Sequence, residues 1–215
     1  MERHDKLRKV TVFDFDGTLT SADTLLCFIR YAKGMPRLLL GLALFAPLLV
    51  CMKLRLADNG KTKERLFAFF FKGTVANEFD TQCDKFGNEC RHLLRDGGRD
   101  AVAAAVENGD RVFIISASVS NWVIPFFYGG NSEYAAAPTR LIEVVGTEVE
   151  VRDGRLTGRF LTPNCYGAEK VRRLAEALPD VKVNRDRYHV TAYGDSRGDR
   201  QMLDFADEGH FRPFR

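Results

Sequence analysis

The chain of 215 residues has little net charge and no C-x-x-C cysteine spacing. Its 32 Lys and Arg against 29 Asp and Glu leave +3, too little to attract nucleic acid by bulk charge, so no nucleic-acid partner is expected. Cys27, Cys51, Cys83, Cys90 and Cys165 are odd in number, which argues against a disulfide framework or a four-ligand zinc site. Reduced thiols in a cytoplasmic protein fit this usage. The opening MERHDKLRKV lacks the apolar stretch of a secretory signal, and export is not expected. With 45% apolar and 28% charged residues the composition is that of a folded globular domain, long enough for one core with a sizeable insertion.

Three apolar, β-rich segments end in polar groups. Lys9 to Phe13 runs into DFDGT, Arg111 to Ile115 ends at Ser116, and Tyr188 to Tyr193 ends at Gly194 and Asp195. Helix-like stretches lie between them, at Arg99 to Asn108, about Asn121 to Tyr128, and Glu169 to Leu178. Alternating strands and helices predict an α/β fold with a doubly wound parallel sheet, in which ligands bind beyond the carboxyl ends of the strands. All three polar ends would meet there.

Residues 20–98 interrupt the alternation and read as helical throughout, which predicts a core of 1–19 and 99–215 with a helical cap between. Phe79, Cys83, Phe86, Cys90 and Leu93 recur at helical spacing, so packing on one face is expected of them rather than thiol chemistry. Leu141 to Leu161 alternates around Asp153-Gly154, the signal of a β-hairpin projecting from the sheet. The uncharged run from Leu38 to Met52 is read first as a buried cap helix, with membrane-surface contact, a lipid-binding groove or subunit contact as alternatives. As a helix it is shorter than a bilayer core of about 30 Å, and Pro47 interrupts it, which disfavours a clean transmembrane span.

Asp14 and Asp16 stand two apart at a strand end, followed by Gly17 and Thr18. Carboxylates this close repel unless a cation joins them, and Gly17 permits backbone N–H groups to approach an anion. The pattern suits phosphoryl transfer. Ser116 and the Ala117 N–H are candidates to bind a phosphate oxygen, with a helix cap by Ser116 or Ser118 as the plainer reading. Lys170, near a helix start, would balance clustered acid and phosphate charge, or else be an exposed lysine. Asp195 and Asp199 in GDSRGD add oxygen ligands suited to Mg²⁺, or cap a short helix. Arg172, Arg173, Arg185 and Arg187 are expected on solvated faces or in loops, and Trp122 and His189 are expected to pack.

The ordered set DFDGT, Ser116 after RVFII, Lys170 and GDSRGD resembles the four motifs of the haloacid dehalogenase (HAD) superfamily, spanning Asp14 to Asp199. The insertion resembles the C1-type cap of subfamily IB, which includes phosphoserine phosphatase relatives, and TPNCYGAEK looks like the same subfamily. The resemblance implies a Mg²⁺-dependent phosphatase in which Asp14 becomes an aspartyl-phosphate and Asp16 first protonates the leaving alcohol, then activates water. It implies metal held by Asp14, the Asp16 carbonyl and Asp195 with support from Asp199, and phosphoryl oxygens held by Ser116 and Lys170. Asp23 stands where phosphoserine phosphatases carry a substrate-binding Glu. The apolar run also resembles that of bacterial phosphatidylglycerophosphate phosphatases, so the expected substrate is a small phosphorylated metabolite or a lipid phosphate. In the lipid case the protein would sit at the inner face of the membrane. A phosphomutase, a phosphotransferase and a non-catalytic phosphate-binding signalling module are the alternatives.

Overall fold

A computed structural model describes residues 7–130, 132, 134 and 142–215; the first six residues and Leu141 fall outside this set. The sheet is built from β1 (Arg8–Phe13), β2 (Arg111–Val119) and β3 (Ile142–Thr147). A separate antiparallel hairpin of β4 (Val149–Arg152) and β5 (Arg155–Phe160) follows, and then β6 (Tyr188–Gly194) and β7 (Glu208–Phe211) complete the sheet. Its order is β3-β2-β1-β6-β7, and every neighbouring pair is parallel. The chain winds outward from β1 to β3, then crosses to β6 and β7 on the other side. The order therefore reverses between β1 and β6, and the crevice of a doubly wound sheet opens at their carboxyl ends.

Alternation along the strands fills both faces. Val10, Val12, Phe113, Ile115 and Val190 enter one buried cluster, while Phe13, Val112 and Ile114 enter the other. Helices α1 (Thr24–Lys33), α2 (Met35–Lys53), α3 (Asn59–Phe71), α4 (Ala76–Glu89) and α5 (Asp96–Glu107) lie between β1 and β2. A domain boundary between 98 and 99 would thus fall within the first turn of α5. Helices α6 (Ser120–Val123) and α7 (Pro125–Tyr128) follow β2, and α8 (Ala168–Ala177) and α9 (Arg200–Phe205) flank β6.

The inserted helices meet the sheet through an aromatic cluster. Phe28 of α1 lies within 5.0–5.6 Å, centroid to centroid, of Phe71, Phe79, Phe86 and Trp122. Such ring pairs add about 0.5–1.5 kcal/mol each beyond area burial, which seats α1, α3 and α4 on α6. Phe79, Cys83 and Phe86 are buried along α4, with Cys90 and Leu93 packed at its end. All five cysteines are free thiols.

Three expectations change. Helix α2 runs 19 residues, straight through Pro47, giving about 28 Å at 1.5 Å per residue, so by length and composition it could cross a bilayer. It is also not buried. Leu38, Gly41, Leu42 and Phe45 form the docking stripe, and a side chain at Gly41 would meet the Phe70 ring at 2.2 Å. Leu39, Leu40, Leu44 and Val50 remain 55–59% exposed, because one helical stripe against α3 covers only one side of an all-apolar helix. Second, Ile142–Thr147 is the edge strand β3 rather than part of the hairpin. Third, the hairpin lies on α3 instead of projecting: Gly158, at φ 85°, faces Ala68 so closely that an added Cβ would sit 2.8 Å away. Its turn, Asp153-Gly154, has positive φ at both residues, as a type I′ two-residue hairpin turn requires.

Candidate active site

Parallel pairing fixes the site. Phe13 of β1 pairs with Ile114 and Tyr193, so the residues that follow emerge at one edge of the sheet, and the Asp14 N–H donates to the Tyr193 carbonyl at 2.9 Å. Asp14, Asp16, Asp23, Ala117, Lys170, Asp195 and Asp199 line one cavity of about 110 Å³. Ser116 is fully buried behind Ala117 in sequence, and its hydroxyl accepts the Ser118 N–H at 3.0 Å.

Lys170 is 1% exposed, which excludes the reading as a surface lysine. Its ammonium donates to Asp14 Oδ1 at 2.5 Å and Asp199 Oδ1 at 2.6 Å. Burial disfavours its charge, but the two carboxylates outweigh that and keep its pKa above the ordinary lysine value. Asp14 shows the reverse balance: burial pushes its carboxyl up to about 7, with Asp199 and Asp16 adding repulsion, despite Lys170. Burial also raises Asp199, but Lys170 and bonds from Ser196 hold it below the usual carboxylate range. Asp195 is raised by burial, with its carboxylate against Arg215 and its carbonyl accepting from Arg212.

Ligand oxygens of Asp14, Asp195 and Asp199 lie within 4.8 Å of one another. Asp199 is already engaged on both oxygens, Oδ1 by Lys170 and Oδ2 by the N–H of Asp195 and by Ser196. Ser196 caps the short turn that follows, and Asp199 closes a reciprocal capping box with it, so of the two acids Asp199 alone takes part in capping while both belong to the cluster. Crowded, all-oxygen acid groups, one of which is costly to ionise at neutral pH, are a chemical match for a hard divalent cation.

Phe15–Leu19 makes one wide turn in which Gly17 has φ 80°. Its N–H donates to Thr20 Oγ1 at 3.3 Å rather than into the cavity. A Cβ there would sit 2.7 Å from Asp195 Oδ2, so glycine is required for the close approach of Asp195. The Thr18 hydroxyl donates to Asp14 Oδ2 at 2.9 Å. Neither Ser116 nor Ser118 caps the next helix, because β2 continues to Val119, which is the cap residue of α6. Asp23 caps α1, accepting from Leu25 and Leu26 N–H, while also lining the cavity; burial and Asp16 raise its pKa.

The sequence did not single out Thr24, Asn59, Lys63, Tyr166 or Ser196, and considered Ser118 only as a cap. Thr24 and Ser118 contact Asp16, and the other four line the cavity. Ser118 had a readable signal, since it lies two along a strand from Ser116. Lys63 and Asn59 had none, because only the packing of α3 brings them over the sheet. Trp122 packs on Phe28 as expected, whereas His189 does not enter the core and pairs instead with Glu208 at the surface. Arg172 is paired with Glu169 and Glu176, whereas Arg185 bonds the carbonyls of Tyr188 and Phe205 and so ties a loop down.

A doubly wound sheet with an acid-rich cavity at its switch point places the chain among α/β proteins that bind a ligand at the carboxyl ends of their strands. The haloacid dehalogenase-like hydrolase family profile matches residues 11–204, and the chain belongs to that family. It is 32% identical over 212 residues to Protein CicA of Caulobacter vibrioides, covering 96% of this chain and 86% of that protein. Among solved structures, a Bordetella pertussis Tohama I protein of unknown function superposes with a TM-score of 0.74 at 19% identity, over 93% of this chain and 87% of that one. A phospho-aspartyl intermediate analogue of phosphoserine phosphatase superposes with a TM-score of 0.60 at 15% identity, over 94% and 84%.

Proposed function

We propose that the chain is a Mg²⁺-dependent phosphomonoesterase working through an aspartyl-phosphate on Asp14. The observation that carries this reading is the Asp14 carboxylate, fixed by Lys170 and Thr18 at the centre of the acid cluster, with Asp16 beside it in the same cavity. Asp14 attacks phosphorus while the bond to the leaving oxygen breaks, and the Asp16 carboxyl gives that oxygen its proton. Water then attacks phosphorus and passes a proton to the Asp16 carboxylate, while the Asp14–phosphorus bond breaks. Free Asp14 carboxylate, protonated Asp16 and inorganic phosphate result. Lys170 has a third N–H beyond its two carboxylate bonds, and the Ser116 hydroxyl, which accepts from Ser118, still has its proton to donate. These donors, with the Ala117 N–H, hold the phosphoryl oxygens, while Gly17, whose N–H is spent on Thr20, and Thr18, whose hydroxyl is spent on Asp14, shape the loop instead. Asp14, the Asp16 carbonyl and Asp195 would hold Mg²⁺, with Asp199 in support, and the ion would offset the charge of the transferring group.

The test is phosphate release from phosphoserine, sugar phosphates, nucleotides, phosphatidylglycerophosphate and lysophosphatidate, with Mg²⁺ or chelator. Turnover is expected to need the metal and to vanish in Asp14→Asn, with circular dichroism unchanged. Full turnover by pure Asp14→Asn sinks the proposal. Transfer to an acceptor in place of phosphate release marks a phosphotransferase or mutase, and a stable phospho-Asp a signalling module.

The exposed face of α2 favours a lipid phosphate over a soluble metabolite. Leu39, Leu40, Leu44 and Val50 stand open to solvent, with Arg37, Lys53 and Arg55 exposed at the helix ends. Apolar side chains flanked by cations suit the interface of an anionic bilayer, at the inner face of the membrane. Co-sedimentation with phosphatidylglycerol vesicles is expected, and absence of binding to both anionic and neutral vesicles rejects this reading.

A further inference from the structure

Asp16 sits in a hydrogen-bonded clamp that the proposed chemistry does not by itself require. Its Oδ1 accepts from the Thr24 N–H at 2.8 Å and the Thr24 hydroxyl at 2.6 Å, and its Oδ2 accepts from the Ser118 hydroxyl at 2.5 Å. The indole N–H of Trp122 donates to Thr24 Oγ1 at 3.2 Å, which leaves the single Thr24 hydroxyl proton for Asp16. Thr24, Ser118 and Trp122 are 0%, 3% and 1% exposed, whereas Asp16 itself reaches the cavity. The clamp therefore joins α1, the end of β2 and α6 at one carboxyl group.

We infer that Thr24 and Ser118 are positioning residues that aim the Asp16 carboxyl at the leaving oxygen, with Trp122 setting the direction of the Thr24 hydroxyl. The inference rests on the acid–base role of Asp16 proposed above. Hydroxyl groups suit this task better than fixed N–H donors, because each can donate to a carboxylate and accept from a carboxylic acid. The Thr24 and Ser118 hydroxyl oxygens are 3.2 Å apart, so the serine proton has a second acceptor when Asp16 carries its own. A freely rotating carboxyl would spend less time in line with the leaving oxygen, and loss of such alignment weakens proton transfer without touching the nucleophile. In the first displacement the proton goes from Asp16 to the leaving oxygen as the phosphorus–oxygen bond breaks, and in the second it returns from water.

The experiment compares p-nitrophenyl phosphate, whose leaving group departs readily as an anion, with phenyl phosphate, whose phenolate is about as basic as tyrosinate, pKa about 10. In Ser118→Ala and Thr24→Val, kcat/KM, which reports the steps up to departure of the alcohol and not the Asp16-assisted hydrolysis common to both esters, is expected to fall about 10- to 100-fold for phenyl phosphate and less than about 3-fold for p-nitrophenyl phosphate. Thr24→Ser keeps the hydroxyl and is expected to restore phenyl phosphate turnover to within about 3-fold of wild type. Equal losses on both esters, or no loss on either, overturn the clamp, as does failure of Thr24→Ser to rescue. Asp16→Asn separates this result from the parent reading. If it shows the ester-selective loss while Ser118→Ala and Thr24→Val do not, only the clamp is wrong. If Asp16→Asn lowers kcat/KM equally for both esters, the acid role of Asp16 falls, and the clamp with it.

Discussion

The acid cluster at the ends of β1 and β6 and the helix α2 depart from ordinary burial in opposite directions. One buries Lys170, Asp14 and Asp199 almost completely, while the other leaves Leu39, Leu40, Leu44 and Val50 in water. Neither arrangement serves folding best, since buried charge is costly even when paired and exposed leucine forgoes its burial. The cluster tolerates this through mutual pairing, and α2 through a single stripe docked on α3. Regions that a fold keeps at some cost to stability are where function concentrates, and the proposed roles of these two differ accordingly: a charged ester for one, an apolar surface for the other.

The comparison breaks most visibly at Lys170. Replacing it with methionine leaves Asp14 and Asp199 buried without their cation, and phosphate release is expected to be lost along with about 3 kcal/mol of stability in urea unfolding at pH 8. The stability loss should shrink toward pH 5, where Asp14 is protonated. A Lys170→Met protein as stable as wild type at pH 8 would show that the ammonium does not support the cluster.

On the opposite side, Leu39→Ser, Leu44→Ser and Val50→Ser combined are expected to abolish vesicle co-sedimentation while changing unfolding stability by less than about 1 kcal/mol, because these side chains are already exposed. A large loss of stability would mean that they pack in solution.

The smallest effect is a pH-dependent response to metal. The Asp14 carboxyl is raised from 3.8 to about 7 in the folded chain, so the metal-free fold binds more protons than the unfolded chain and loses stability as pH climbs through that window. Asp199, held low, contributes in the other sense, its stabilisation disappearing only below about pH 4. Mg²⁺ binds the ionised form of Asp14, and its addition is expected to raise Tm by a few degrees more at pH 8 than at pH 5.5, measured by differential scanning fluorimetry. An equal rise at both values would separate the metal from Asp14.

Much of the core was legible because it is written in local patterns. Apolar strands ending in Asp14, Ser116 and Asp195 state both the sheet and the edge at which the groups gather, since parallel strands deliver their carboxyl ends to one side. The two outer strands were harder to see. Ile142–Thr147 was absorbed into the hairpin pattern that follows it, and Glu208–Phe211 is exposed along its length and lacks an apolar alternation. The hairpin turn at Asp153-Gly154 was readable, while its docking on α3 was not, for that depends on Gly158 facing Ala68 across 90 residues of chain.

By itself the sequence determined the doubly wound core, the helical insertion and the set of acids with Lys170, because periodicity and strand-end chemistry are properties of adjacent residues. Tertiary structure alone decided the rest. It turned α2 outward, since a uniformly apolar helix has no pattern to say which side will find a partner. It committed the Gly17 N–H to Thr20 and reserved its missing side chain for Asp195, and it brought Thr24, Ser118 and Trp122 around Asp16. Those contacts join residues about 100 positions apart, and only the packing of α1 and α6 against the end of β2 places their hydroxyls within hydrogen-bonding distance of one carboxyl group.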